Sequence, residues 1–454
     1  MTDAAGPDAV IFPFLRAQPL FDLLHRDEIY ARVPYMGPGE RADTLWDRMK
    51  KHEREMLVPN LPNRFLALVP AARAEELAGA AEQALRNELV AIADACWIWL
   101  QKKGHPLHSD WRPRFDAQIR HFPQVAWQTL PWSPQGDTAW RMAHERIEWL
   151  LAARRNTRDF APWPRDSRAA GAVKDSLSGR EEIVGDEAWW RDVHARPELK
   201  FLFRSEDKLG AVNLVKRVWH RAYLKERWGL HVEKAVSFES VPDVAAGAWL
   251  AQARQRLNEM LRADRAAFDT IRDAAEAIAL NAEAWNLEAP PAPTEQTLDL
   301  WLRDAPPEAF MPATWKRRQG EECKPVQAAL RRLYARSEER KEPILPRPPS
   351  YVAIIAMDGD DMGMWMSGDK EKMPRLMEQF SREAQEYYRN RPEASGKQRN
   401  EKRTLTPSFH AQFSEALANF AIYLARPVVE HFHGQLIYAG GDDVLCMVPA
   451  AAAF

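Results

Sequence analysis

The stretch LIYAGGDDVLCMVP, residues 436–449, constrains the fold of this chain more than any other. Two apolar arms flank Gly440, Gly441, Asp442 and Asp443. Arms of that kind joined by a glycine turn predict a β-hairpin, because glycine accepts the positive φ that a tight turn demands. A lone hairpin is barely stable, so it must pair with further strands. The strand signal upstream is YVAIIAM, residues 351–357, an apolar run with β-branched residues. It ends in a second acidic turn, Asp358, Gly359, Asp360 and Asp361. Between the two lie helical patterns at 372–390 and 408–432, joined by a basic loop.

That order, strand–helix–helix–hairpin, brings both acidic turns to one sheet edge if the strand lies beside the hairpin. Converging carboxylates repel, and one stays protonated unless a cation separates them. Oxygen-only ligands suit Mg²⁺ or Mn²⁺ rather than zinc. Such an ion bridges nucleotide phosphates and activates a hydroxyl for in-line attack. Taken alone, GGDD is an ordinary solvated turn. The paired arrangement, each cluster following an apolar strand, is more specific.

The other elements place this unit at the end of a longer architecture. RFLALVP, residues 64–70, reads as a buried strand, and a long Ala-, Leu- and Glu-rich helix follows. Residues 122–132, FPQVAWQTLPW, read as another strand, making the start of an α/β unit. From about 135 to 340 the pattern is mostly helical. Proline-rich linkers interrupt it at 287–296 and 341–350, and the second marks a boundary.

Composition removes several classes. Lys and Arg number 63 against 65 Asp and Glu, a net charge of -2, which excludes a polybasic carrier. Three isolated cysteines, Cys96, Cys323 and Cys446, exclude a disulfide framework and a four-cysteine zinc site, and fit a reducing cytoplasm. No apolar run reaches the roughly 20 residues of a membrane helix, and the acidic N-terminus is no secretory signal, so no membrane partner is expected. The 18 tryptophans read as core and subunit contacts.

DGDDMG followed by GGDD resembles the catalytic palm of the large subunit of type III CRISPR effector complexes, the polymerase-cyclase, and its type III-B form most of all. Residues 11–22, 59–70, 208–219 and 236–246 resemble further stretches of that subunit in the same order, so the likeness runs along essentially the whole chain. The resemblance implies an α+β fold with two ferredoxin-like palm domains separated by a mainly helical insert. The expected boundaries are 1–135 for a degenerate first palm, 136–340 for the insert and 341–454 for the catalytic second palm. It implies synthesis of cyclic oligoadenylates from ATP, switched on when guide RNA pairs with target RNA. The implied partners are the backbone and small subunits of the type III-B complex and both RNAs.

Carried over residue by residue, Asp358 matches the first-strand metal-binding aspartate, and Asp442 and Asp443 match the hairpin pair. Asp361 is a further metal candidate. Gly359, Asp360, Gly440, Gly441, Ser408 and His410 are expected at the nucleotide. Val69, Pro70 and Ala71 stand where a metal site in the first palm would need carboxylates, so that palm reads as non-catalytic.

Three departures qualify the likeness. The chain has no adjacent His-Asp pair, so no DNase activity is expected, and His105 and His108 read as surface histidines. Asp175 and Ser178 occupy the places of a zinc-knuckle cysteine pair, so a metal-free knuckle is expected. The sequence ends soon after the second hairpin arm, so the second palm is expected to be incomplete, with an exposed sheet edge. The basic loop, with Arg389, Arg391, Lys397, Arg399, Lys402 and Arg403, reads as a solvated loop or as a phosphate contact. A non-catalytic assembly scaffold at the guide-RNA 5′ end and a free-standing nucleotide cyclase stay open beside the first reading.

Overall fold

A computed structural model gives the fold of the protein. It describes residues 1–15, 62–103, 106–136, 138–157, 173–196, 206–225, 240–277, 305–317, 323–336, 342–369, 371–390 and 401–453, with single residues between these stretches. Two small antiparallel sheets lie at either end of a mainly helical middle, an α+β architecture.

The first sheet pairs β1 (Val10–Phe12) with β2 (Leu66–Ala67). Of the strand expected at 64–70, only this two-residue core enters a ladder. Pro70 then turns the chain through a short 3₁₀ turn into helix α1 (Ala74–Lys102). The strand expected at 122–132 does not form: this segment follows α2 (Arg112–His121) as extended chain without a ladder partner among the described residues. Its aromatic content misleads. Trp127 leaves the chain to donate its indole N–H to Glu82 on α1 at 3.0 Å. Trp132 packs edge-on against Trp140, with ring centroids 5.2 Å apart. Pro123 and Pro131 bracket the segment and deprive it of ladder donors.

The middle contains α3 (Ala139–Asn156), α4 (Glu187–Ala195), α5 (Ala211–Trp219), α6 (Val241–Gln255), α7 (Leu257–Ala277, bent at Asp264) and α8 (Cys323–Tyr334). Two separate cores hold it. One gathers Cys96, Trp97 and Leu100 of α1 with Trp190, Leu214 and Val218. The other joins Trp249, Phe268, Trp301, Phe310 and Leu333. Buried aromatics of this size account for much of the tryptophan content, as the sequence suggested. Where the resemblance sets a zinc knuckle, a carboxylate holds the loop instead. Asp175 is 2% exposed. It accepts hydrogen bonds from Leu177 N, Ser178 N, Gly210 N and Asn213 Nδ2, all between 2.6 and 3.0 Å.

The second sheet carries β3 (Val352–Met357), β4 (Gln435–Gly440) and β5 (Asp443–Pro449) in the order β3-β5-β4. Between β3 and β4 come α9 (Met362–Ser367), α10 (Arg382–Arg389), α11 (Pro407–Phe420), a π-turn over 421–425 and α12 (Arg426–His431). The hairpin's second arm slots between the first strand and the first arm, the split βαβ arrangement of ferredoxin-like folds. Alternation does the rest: Val444, Cys446 and Val448 bury one face of β5 with Leu436, Ala439 and Val429. On β3, Ile354 is 68% exposed, and that strand forms one edge of the sheet.

A smaller core ties the two ends together. Leu66 and Leu68 from the first sheet segment, Trp132 and Trp140 meet Met373, Leu405, Phe409 and Trp365 of the second palm. Nearby, Phe14 N donates to the buried Ser414 hydroxyl on α11 at 2.7 Å. The first sheet is therefore packed directly against the helical layer of the second.

Candidate functional site

The ladder between β3 and β5 sets Met357 opposite Val444. The next residue on β3, Asp358, consequently stands at the sheet edge where β5 begins with Asp443. On the other side Gly440 pairs with Asp443 to close the hairpin, and Gly441 turns it at φ 64°. A residue with a Cβ resists that conformation, which is the plain reason for glycine there. Gly359 has a different reason. A Cβ on it would lie 2.7 Å from the Asp442 Cβ and 2.9 Å from the Met362 Cγ, so only glycine lets the two acidic turns approach this closely.

The electrostatics follow from that approach. The Asp358 turn and Asp442 are close enough for their side chains to interact, which disfavours charge on Asp442. The Asp442 carboxyl is pushed above its ordinary value, first by burial, then by the charges of Asp443 and Asp358 and by the side-chain interaction with Asp358. Its own backbone N–H pulls the other way. Tyr438, in the first hairpin arm, is also pushed up, by burial and then by Asp443 and Asp442. Two interacting carboxylates with a third beside them are an all-oxygen donor set of the kind a hard divalent cation takes. Among the described residues, no three His, Cys, Asp or Glu side chains are already drawn into a metal-holding group. The residues fit such an ion in chemistry and in repulsion, with the donors not yet closed around it.

The remaining acidic residues of the first turn differ in role. Asp361 sits in the left-handed region at φ 62° and begins α9, its carbonyl accepting from Met364 N at 2.8 Å and Trp365 N at 3.1 Å. Its carboxylate pairs with the Lys372 ammonium. Asp360 is exposed, and its charge reaches the same lysine. Nothing in the sequence singled out Lys372, which reads as one more charge at the start of a helix.

One expected nucleotide contact, His410, is corrected, and Ser408 stays exposed at the start of α11. His410 is fully buried at 0% exposure, behind the site rather than facing it. Its Nε2–H donates to the Met366 carbonyl at 2.8 Å, and its Nδ1 accepts from the Trp140 indole at 3.2 Å. Both ring nitrogens are used, so the imidazole is a neutral brace between α3, α9 and α11. Burial pushes its pKa down, against the Met366 bond. The His144 ring lies beside it, tilted by 58°, with ring centroids 4.5 Å apart. Ser408 is exposed and does not cap α11. Thr406 does, accepting from Phe409 N at 3.2 Å, with the Ser408 hydroxyl 2.9 Å from that of Thr406.

In the basic loop, Arg391, Lys397 and Arg399 lie outside the described residues, as does His105. The described cations serve local structure. Arg403 donates to Gln379 and Gln412 and lies over the Phe409 ring, and Lys402 donates to the Glu371 carbonyl. Arg389 donates to Gln385. Gly441 also lines a narrow crevice with Phe12, Phe14, Ser414 and Leu417, so the first sheet reaches the hairpin turn itself.

Comparison with known proteins agrees with this geometry. The family model described as Cas10/Cmr2, second palm domain, matches residues 351–454, which hold both acidic turns. That described as CRISPR-associated protein Cmr2, N-terminal, matches residues 1–94. The CRISPR system Cmr subunit Cmr2 of Pyrococcus furiosus is 26% identical over 99% of the chain. The chain spans only 48% of that relative's length. A solved chain of the type III-B Cmr-beta complex in its apo state shares the fold at a TM-score of 0.50 and 14% identity, covering 98% of this chain and 55% of the other. No described helix is long and apolar enough to cross a membrane.

Proposed function

We propose that the chain is a large subunit of the type III-B kind, a reading supported by its matches to the Cas10/Cmr2 second palm and the Cmr2 N-terminal domain, and that its second palm joins ATP molecules into cyclic oligoadenylates inside an RNA-guided complex. The backbone and small subunits would assemble with it, and guide RNA paired with target RNA would switch it on. The observation that carries the reading is the convergence of the Asp358 turn and the Asp442–Asp443 turn, brought from two distant strands to one sheet edge by the β3–β5 register and by Gly359. A structural carboxylate is surrounded by donors. Beside Asp358 and Asp442 stand other carboxylates, against one bond from the Asp442 backbone N–H, and positive charge relieves the repulsion.

In this reading Asp358, Asp442 and Asp443 hold Mg²⁺ or Mn²⁺. When bound, the ion supplies the charge that orients a triphosphate and makes a ribose hydroxyl a better nucleophile. The ion's positive charge would relieve the repulsion among these carboxylates. Asp443, exposed like Asp358, stands beside the other two. Gly359 and Gly441 carry no side chain that would keep phosphates from the backbone. His410 fixes the end of α9, and so the turn from which Asp358 and Asp361 project.

The test incubates the full chain with labelled ATP and Mn²⁺, with and without partner subunits, guide RNA and target RNA. The Asp442→Asn/Asp443→Asn variant is expected to lose turnover by about a hundredfold or more, roughly 3 kcal/mol of transition-state stabilisation. Product that requires target RNA supports the proposal. Product without any RNA points to a free-standing cyclase instead. A second role, as an assembly platform, is favoured by one observation. Met142 and Trp149 are 63% and 67% exposed on α3, seven residues apart and hence on one helix face. Exposed apolar surface of that kind marks contact with other proteins. Complex formation without any cyclic product, under every condition, would leave that role alone.

A further inference from the structure

We propose that Lys372 is the resident counter-cation of the acidic edge, and that it exchanges Asp361 for a phosphate oxygen of the nucleotide when a divalent ion arrives. This rests on the metal-dependent reading of the same site. The inference starts from charge. Asp358, Asp360, Asp361, Asp442 and Asp443 crowd two adjoining turns, and the Lys372 ammonium is paired with one of them.

Its root and its tip are held differently. The root is fixed: Lys372 N donates to the Asp369 carbonyl at 3.1 Å, and the next residue, Met373, is 3% exposed in the core with Trp140, Leu405 and Phe409. The tip is not fixed. The Lys372 and Asp361 side chains are 34% and 41% exposed, and an ion pair so open to water is weak and readily exchanged. A rigid base, a four-carbon stem and a weakly held ammonium make a cation that can swing while remaining at the site. A divalent ion drawn to Asp358 and Asp442 competes for the same field of negative charge. It would free the ammonium, and a triphosphate is the ligand chemistry that both cations then share.

The inference separates two affinities that an ordinary surface tether would leave alone. In the full chain with Lys372→Met, Mn²⁺ alone, followed by isothermal titration calorimetry, is expected to bind roughly two- to fivefold more tightly, since the variant no longer opposes it. A non-hydrolysable ATP analogue, titrated at saturating Mn²⁺, is expected to bind about tenfold more weakly. Lys372→Arg should stay close to wild type in both titrations. Circular dichroism of each variant checks that the fold is intact. Wild-type Mn²⁺ binding that depends on Asp442, with neither affinity moved by Lys372→Met, overturns the counter-cation role alone. Wild-type protein that shows no Asp442-dependent Mn²⁺ binding overturns the metal reading and this inference with it.

Discussion

Asp175 and Asp442 are both turn aspartates, and their surroundings are opposite. Asp175 lies in the helical middle among donors: three backbone N–H groups and the Asn213 amide converge on its two oxygens. Burial pushes its pKa up, but the bonds from Ser178, Gly210, Asn213 and Leu177 outweigh burial and hold it below the ordinary value. Asp442 lies at the sheet edge among acceptors, and burial and neighbouring charges act together to push it up. The contrast gives a general criterion. A carboxylate whose lone pairs are all met is part of the scaffold. One set chiefly among its own kind is a candidate to hold a ligand, because the fold gains nothing from the repulsion.

The comparison can be broken at either end. The largest effect is expected at the scaffold aspartate. Asp175→Ala leaves buried donors unpaired on the knuckle loop and at the start of α5, and should destabilise the protein by roughly 4 kcal/mol, read from the urea midpoint. Its acid dependence has a defined sign. A depressed folded pKa means stability present above the unfolded carboxylate range and lost as pH falls below about 4. An Asp175 variant as stable as wild type at neutral pH would show that the knuckle is held by packing instead.

A comparable effect sits behind the second sheet. Burial first, then His410, hold the His144 imidazole down to about 4. The unfolded imidazole titrates near 6.5, so the unfolded chain binds the extra proton between those values. Stability should then fall as pH drops from about 6.5 towards 4, by up to roughly 3 kcal/mol for this group. His144→Gln should flatten that slope in thermal unfolding measured across the same window. An unchanged slope would mean that His144 is hydrated.

The smallest effect, and the sharpest for the comparison, belongs to Asp442. Its raised pKa carries the reverse sign: the stabilising form is protonated and is lost as pH rises. Asp442→Asn should therefore raise the thermal stability of the metal-free protein, by less than about 1 kcal/mol because the group is partly exposed. Added Mn²⁺ should stabilise wild type and leave the variant unmoved. Destabilisation by Asp442→Asn without metal would place Asp442 in the same class as Asp175.

The hairpin and β3 were legible because their signals are local. Alternating or continuous apolar residues end at glycine and aspartate turns, and these mark strands wherever they sit. Helices α1, α3 and α11 were legible for the same reason at the helical period. The strand expected at 122–132 failed because strand character is only an offer to pair. Two prolines and the lack of a ladder partner among the described residues left that offer untaken. His410 misled for a related reason. A histidine early in a helix beside a predicted site looks available, whereas Trp140, far away in sequence, and the Met366 carbonyl had already taken both of its nitrogens. Lys372 carried no local mark at all.

The sequence by itself determined which residues could carry charge to a turn. It placed Asp358 and the Asp442–Asp443 pair at the ends of apolar runs, with glycines where the backbone must bend or close in. Only the tertiary structure decided which of those charges meet. The register of β3 on β5 brings Asp358 to Asp442, and packing of the first sheet and α3 against the second palm turns His410 inward. Periodicity is set by neighbours along the chain, and it can be read there. Contact between distant carboxylates depends on which surfaces are buried together, and that belongs to the whole fold.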